Sequence, residues 1–275
     1  MPASAANIRP RSPIWRCART GWRSFPSRST RSPERVTEER VLAGRTALVT
    51  GSSRGIGAAT AQALAAAGAH VVITGRDVPA LEAIEDAIHA AGGTATIAPV
   101  DLAEGDGIAR LAAAVAERWD RLDILVIAAA YLPQLGPVTQ IDGKQLAQAI
   151  TVNLLATQVL LASFDPLLKR SAAGRVIGLT SSVGESPRAY WAAYAATKAG
   201  FDNLLDSYAQ EVGNISPVRV AIVDPGATRT GMRARAYPGE NPASVKEPAV
   251  VADRILALLA TDFDNRHRER VGEGG

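Results

Sequence analysis

The chain has 275 residues, 47% of them apolar and 21% charged, enough to bury a sizeable core in one large α/β domain or two small ones. Its longest nearly unbroken apolar run, Ile124 to Leu132, falls far short of the roughly 20 residues a membrane helix needs, so no membrane partner is expected. The only cysteine, Cys17, excludes an intrachain disulfide, and His70, His89 and His267 are scattered singly, so no metal site is expected.

The net charge of +3 is unevenly distributed. Residues 1–40 hold nine arginines and three glutamates, which gives this arm +6 and leaves −3 for the remainder. Rich in Arg, Ser and Pro and without a sustained apolar period, the arm is expected to be disordered in isolation. It could be a targeting peptide, a contact for an acidic partner, or an extension without function. The last is favoured because no motif forms. Trp15 and Trp22 stand among the arginines, but no nucleic-acid-binding module is recognisable, and none is expected. A cytoplasmic location is expected, with organelle targeting by the arm as the alternative.

From Arg45 short apolar runs alternate with helical patterns. The first strand, Thr46–Thr50, leads into Gly51-Ser52-Ser53-Arg54-Gly55-Ile56-Gly57 and an alanine-rich helix. Glycines allow a tight turn there and let backbone N–H groups approach a pyrophosphate at a helix N-terminus. Close helix-on-strand packing would use the same glycines. The second strand, His70–Thr74, ends at Gly75 and Arg76, where an acidic residue would favour a ribose 2′-hydroxyl. A guanidinium instead suits a 2′-phosphate, with Arg54 as a second contact, so NADP is expected over NAD. Arg76 as an ordinary solvated residue at a helix start is the competing explanation.

Asp77 to Ala91 reads as a helix with Val78, Leu81, Ile84 and Ile88 at helical spacing, closed by Gly92 and Gly93. The third strand, Thr94–Val100, is followed by Asp101, which is placed either to meet an adenine ring or to cap the next helix. Further strands are expected over Asp123–Ala129, Arg175–Thr180 and Val218–Val223. Ser181 follows the fifth strand, at the end where open α/β sheets hold ligands. Thirteen residues later comes Tyr194, and Lys198 lies four beyond it, so both side chains leave one helix face. A nearby ammonium stabilises a phenolate and would bring the phenol toward usefulness as an acid or base. Six buried strands joined by helices predict a doubly wound α/β fold, a single parallel Rossmann-type sheet with helices on both faces, in one domain over 41–275.

The sequence resembles the short-chain dehydrogenase/reductase family from about Gly44 to the helix around Ile255. The likeness rests on TGSSRGIG (Thr50–Gly57), VDL (Val100–Leu102), LDILV (Leu122–Val126), TVNLLAT (Thr151–Thr157), TSSVG (Thr180–Gly184), YAATK (Tyr194–Lys198) and DPGATRT (Asp224–Thr230). It implies that Tyr194 donates the proton in carbonyl reduction and that Lys198 lowers its pKa and holds the nicotinamide ribose. Ser181 would orient the carbonyl oxygen, and Asn153 would support a water-mediated proton relay. NADP would lie along Gly51, Ser53, Arg54, Gly55, Ile56 and Gly57, then Arg76, Asp101, Leu102 and Ala128, with Tyr194 and Lys198. Pro225, Gly226, Thr228 and Thr230 would complete its site. Tyr190, without a lysine four residues on, is expected as pocket wall or packing together with Trp191.

Two departures stand out. Ile127-Ala128-Ala129-Ala130 replaces the family's Asn-Asn-Ala-Gly, which predicts weaker cofactor positioning. The tail DNRHRERVGEGG lacks the family's apolar seventh strand, which predicts an incomplete sheet edge or subunit contact. The expected activity is NADP-dependent interconversion of a carbonyl and a secondary alcohol by a homodimer or homotetramer. The alternative is a weakly active or inactive cofactor-binding regulator. Leu132, Gln134, Leu135, Trp191 and a lid over 232–247 containing Tyr237 would form an apolar pocket for an uncharged small molecule.

Overall fold

Strand β1 (Thr46–Thr50), helix α1 (Gly55–Ala66), β2 (His70–Gly75), α2 (Val78–Ala90) and β3 (Thr94–Pro99) form the first half of the fold in the computed structural model, which describes residues 40–272. The arm, apart from Arg40, lies outside those residues. The chain continues through α3 (Gly107–Arg118), β4 (Ile124–Ile127), α4 (Gly143–Ile150), α5 (Ala156–Arg170), β5 (Arg175–Leu179), α6 (Ser182–Glu185) and α7 (Ala192–Gly213). It closes with β6 (Arg219–Asp224), α8 (Gly231–Ala236), α9 (Pro248–Leu259) and β7 (His267–Arg270).

Seven parallel strands lie in the order β3-β2-β1-β4-β5-β6-β7. The order reverses between β1 and β4, and a ligand crevice belongs outside the strand C-termini at that point. Side-chain alternation splits the core into two layers. Leu48, Leu125, Val176 and Val220 pack against α3, α5 and α7, whereas Val49, Val126, Ile177 and Ala221 pack against α1 and α9. Continuous apolar runs are therefore what these central strands require, since both faces are covered.

The fourth strand ends at Ile127, earlier than the apolar run suggests. Beyond it the N–H groups of Ala128 and Ala129 leave the ladder and donate to the Thr50 hydroxyl, at 3.0 and 3.1 Å. Helices α4 and α5 form one continuous rod through a wider π-type turn at Thr151–Leu155, where the Ala156 N–H reaches back to the Thr151 carbonyl. This rod is long and apolar enough to cross a membrane by length and composition. In the fold one face of it is covered, with Leu160, Phe164, Leu167 and Leu168 buried against the sheet layer.

The tail does form a seventh strand, contrary to the expectation of an incomplete edge. Ala221 to Asp224 pair with His267 to Arg270 in parallel register. An edge strand needs no apolar run, because ion pairs can hold its side chains on both faces. Arg268 reaches Asp202 and Asp206 of α7 at 3.3 and 2.5 Å, Glu269 takes Arg254 of α9 at 2.6 Å, and Arg270 faces Asp224 at 3.5 Å. The flanking Phe263 and Val271 are buried and pin the strand at either end.

Candidate active site

The crevice at the switch point is a cleft that opens to solvent. At one end lies the glycine turn. Gly51 and Gly55 adopt positive φ of 69° and 59°, which glycine enters without steric cost. A Cβ on Gly57 would meet the Gly51 carbonyl oxygen at 2.3 Å, and one on Gly51 would meet the Ala129 backbone at 2.8 Å. The turn is thus packed to the limit against itself and against the segment that follows β4. No side chain caps α1 and its first turn holds no acid, so its orphan N–H groups and positive dipole end can serve an anion.

Of the residues expected at the cofactor, Gly51, Ser53, Arg54, Gly55, Ile56 and Gly57 line this cleft. So do Arg76, Asp101, Leu102, Ala128, Tyr194, Lys198, Pro225 and Thr230. Arg76 lies before the helix start, since Asp77 caps α2 by accepting from the Ala80 N–H. Its side chain is 60% exposed and stands 3.9 Å from Asp101. Asp101 caps its own turn, with Oδ1 accepting from the Ala103 N–H at 3.0 Å, and α3 begins only at Gly107.

Gly226 and Thr228 are not among the cleft-lining residues. Gly226 has φ of 62°, and a Cβ there would meet Lys246 Nζ at 3.0 Å. The Thr228 hydroxyl is turned inward to the Pro225 carbonyl at 3.1 Å. Both shape the loop after β6 from behind.

At the other end of the cleft Tyr194 and Lys198 share one face of α7, and both are buried. The Tyr194 hydroxyl lies 4.0 Å from the Met232 sulfur at the start of the lid. Burial, with a smaller contribution from the Asp224 carboxylate, pushes this phenol above the ordinary range. The Lys198 ammonium does not point at the phenol. It donates to the Leu179 carbonyl at 2.6 Å and sits over the Phe201 ring at 4.2 Å. Burial lowers it to about 8, opposed by the negative charge of Asp202. The expected lowering of the phenol by its lysine neighbour is therefore not present in this arrangement.

Ser181 sits half-buried in extended backbone just before α6, outside the lining of the main cleft. Asn153 lies behind the cleft wall, fully committed to hydrogen bonds. Its Oδ1 accepts from the Tyr131 N–H at 2.7 Å, while Nδ2 donates to the Tyr131 carbonyl and to Thr197 Oγ1, each at 2.9 Å. It thereby ties the segment after β4 to α7, and the wider turn at 151–155 sets its position.

Tyr190 is 61% exposed with a left-handed φ of 71°, which corrects the expectation that it packs. Its backbone is what matters locally, since its carbonyl accepts from the Gly136 N–H at 3.0 Å. Trp191 does pack, edge-on to Tyr194 with ring centres 6.1 Å apart and 5.8 Å from Tyr237. With Leu132, Val183 and Met232 it makes an apolar enclosure beside the phenol. Gln134 is exposed, and its N–H donates to Gln145 Oε1 at 2.7 Å. The segment 232–247 is tied to the wall by Arg235, which donates to the Leu132 carbonyl at 2.6 Å, and is braced internally by the Arg233–Glu240 pair at 2.5 Å.

Thr50 was not legible as a site residue, although it begins the TGSSRGIG motif. Its hydroxyl accepts from the Ala128 and Ala129 N–H groups and so holds the segment where the asparagines are absent. Thr197, inside YAATK, was missed for the same reason, because its partner Asn153 is 44 residues away.

The short chain dehydrogenase family profile matches residues 45–241. The oxidoreductase YciK of Escherichia coli (strain K12) is 33% identical over 81% of this chain and 88% of its own length. A short-chain dehydrogenase of Shigella flexneri 2a, solved with NADP, superposes with a TM-score of 0.81 at 31% identity, covering 85% of this chain and 99% of that one. One from Escherichia coli CFT073, solved with NADPH, gives 0.81 at 32% identity over 85% and 99%. With the profile spanning most of the sheet and its helices, the chain belongs to the short-chain dehydrogenase family of oxidoreductases.

Proposed function

We propose that this oxidoreductase uses NADP(H) to interconvert an uncharged carbonyl compound and its secondary alcohol, with Tyr194 as the acid and base. The observation that carries this is one cleft with a glycine cradle and Arg54 and Arg76 at one end and the Tyr194 phenol at the other. A dinucleotide fits the residues present, since the cradle has no room for a Cβ and the first turn of α1 has no competing cap or acid. Two similar structures were solved with NADP or NADPH, which supports the phosphorylated cofactor. Arg76 and Arg54 would hold its 2′-phosphate.

When bound, the nicotinamide supplies or accepts the hydride. The chain's own residues manage the proton and the oxygen. Tyr194, kept protonated by burial, gives its hydroxyl proton to the substrate oxygen. The resulting phenolate is steadied by the Lys198 ammonium on the next turn. Ser181, the residue after the cleft-lining Thr180, would donate a hydrogen bond to the same substrate oxygen, and Asn153 fixes the wall on which Tyr131 stands. The Leu132, Val183, Trp191 and Met232 enclosure brings no charge to the substrate, hence an uncharged ketone, aldehyde or alcohol. Because Thr50 holds the Ala128–Ala129 backbone, the altered segment no longer argues for an inactive regulator. Loss of NADPH absorbance across a panel of uncharged ketones and aldehydes, with NADH in parallel, tests the proposal. No turnover with any of them, or a preference for NADH, would sink it.

A further inference from the structure

One buried carboxylate near the reacting end belongs to no role assigned so far. Asp202 follows Lys198 by one turn on α7, on the same face, and is 8% exposed while Lys198 is 2% exposed. Its Oδ2 receives Arg268 of β7 at 3.3 Å, and Arg268 also reaches Asp206 at 2.5 Å. Its Oδ1 makes no well-aligned hydrogen bond, and the Thr180 hydroxyl is the neutral donor beside it. A buried carboxylate without a full set of partners is costly, and the one cation on α7 itself, Lys198, lies one turn away on the same face.

We infer that Asp202 is a positioning residue whose carboxylate keeps the Lys198 ammonium charged in the layer between α7 and β5, with Arg268 of the edge strand holding that carboxylate in place. This rests on Lys198 as the group that steadies the Tyr194 phenolate. The surroundings leave Asp202 as the main source of negative charge. On α7 itself the ionisable neighbours are Tyr194 and Asp206, and Asp206 is engaged by Arg268 and Arg266. From β5 come only the Leu179 carbonyl and the Thr180 hydroxyl. From β6, Asp224 faces Tyr194 and is paired with Arg270. The rod of α4 and α5 presents Asn153, which is uncharged. Helix α6 packs Gly184 against the Lys198 backbone, where a Cβ would come within 3.0 Å, and its Glu185 is exposed.

Burial alone drives an ammonium toward its neutral form, and an opposite charge close by resists this. The directions agree, since Lys198 is lowered by burial and raised by Asp202. Burial raises Asp202 in turn, while Thr180, Arg268 and Lys198 pull it down. Thr180 and Arg268 thus favour the ionised carboxylate against burial, and the carboxylate favours the ionised lysine.

The chain has four lysines, Lys144, Lys169, Lys198 and Lys246, so carbon-13 labelling at lysine Cε gives a spectrum in which Lys198 is assigned by its loss in Lys198→Arg. The full chain is titrated by NMR without cofactor. In Asp202→Asn the Lys198 midpoint should fall by about one pH unit or more, and Asp202→Glu should restore it. Asp206→Asn, which loosens Arg268 but spares the Asp202 carboxylate, should move it less than Asp202→Asn does. Asp202→Ser offers the same comparison if the amide variant does not fold. An unchanged midpoint in the neutral variants, or an equal fall in Asp206→Asn, would overturn the inference. In NADPH-dependent reduction the alkaline limb of kcat/KM should move down with the midpoint. The NMR titration needs no turnover, so a chain that reduces no carbonyl compound would count against the proposed function and leave this result standing.

Discussion

Lys198 stands one turn beyond Tyr194 on α7, yet its Nζ lies 5.9 Å from the centre of the Tyr194 ring and donates to the Leu179 carbonyl instead. The phenol is consequently a buried, protonated group beside Met232. Such a group is stocked as an acid, and the ammonium matters at the moment the proton leaves.

Removing only that hydroxyl should therefore stop the chemistry while sparing the cleft. Tyr194→Phe is expected to lower kcat by about 10²-fold or more, with NADP affinity measured by calorimetry nearly unchanged. Tyr190→Phe, on an exposed side chain, should leave kcat close to wild type. A dead Tyr190 variant beside an active Tyr194 variant would reverse the assignment.

Much of this was open to sequence reasoning, and the failures share a cause. Leu48 and Val49 announce a strand with both faces buried, and Tyr194 and Lys198 announce a shared helix face, because each pattern is local. The edge strand was missed since His267 to Arg270 hold no apolar residue, and their partners Asp202, Asp206 and Arg254 lie at distant positions. The positive φ of Tyr190 leaves no mark in a string of residue types either. Lys198 pointing to Leu179 is a rotamer choice that spacing does not encode.

In the proposed function cofactor choice turns on Arg76, which lines the cleft and is only weakly engaged by Asp101 at 3.9 Å. Arg76→Asp places a carboxylate where a 2′-phosphate would lie. The ratio of kcat/KM for NADPH over NADH should fall by at least about tenfold, the worth of one charge-assisted hydrogen bond. A ratio that does not move would remove Arg76 from the site.

His70 supplies a pH test of stability away from the cleft. Its ring nitrogens meet Thr94 Oγ1 at 3.0 Å and Thr96 Oγ1 at 2.9 Å, and its face lies 5.2 Å from Trp119. Burial, then Arg118 and His89, lower its pKa from 6.5. The unfolded chain thus binds a proton that the folded chain resists, so the stabilisation is present above about pH 6.5 and is lost as pH falls through the lower folded value. Tm should drop between pH 7.5 and 5.5, and His70→Gln should flatten part of that slope. Identical slopes in the two proteins would show that other groups carry the acid sensitivity.

Thr50 concentrates the remaining argument in one hydroxyl. It accepts from the N–H groups of Ala128 and Ala129 and lies 3.4 Å from the Val126 carbonyl, joining the end of β1 to the segment where β4 leaves the sheet. Ala129 is also the residue against which Gly51 packs too closely for a Cβ. Thr50→Val keeps the shape and removes the acceptor, leaving two N–H groups beside the cleft short of a partner. A loss of about 2 kcal/mol in unfolding free energy is expected, together with a several-fold rise in KM for NADPH as the Ala128–Ala129 wall loosens. Thr50→Ser should recover most of both. If Thr50→Val instead melts and binds like wild type, water replaces the hydroxyl at no cost, and the Ala128–Ala129 segment is held by its packing against Gly51 alone.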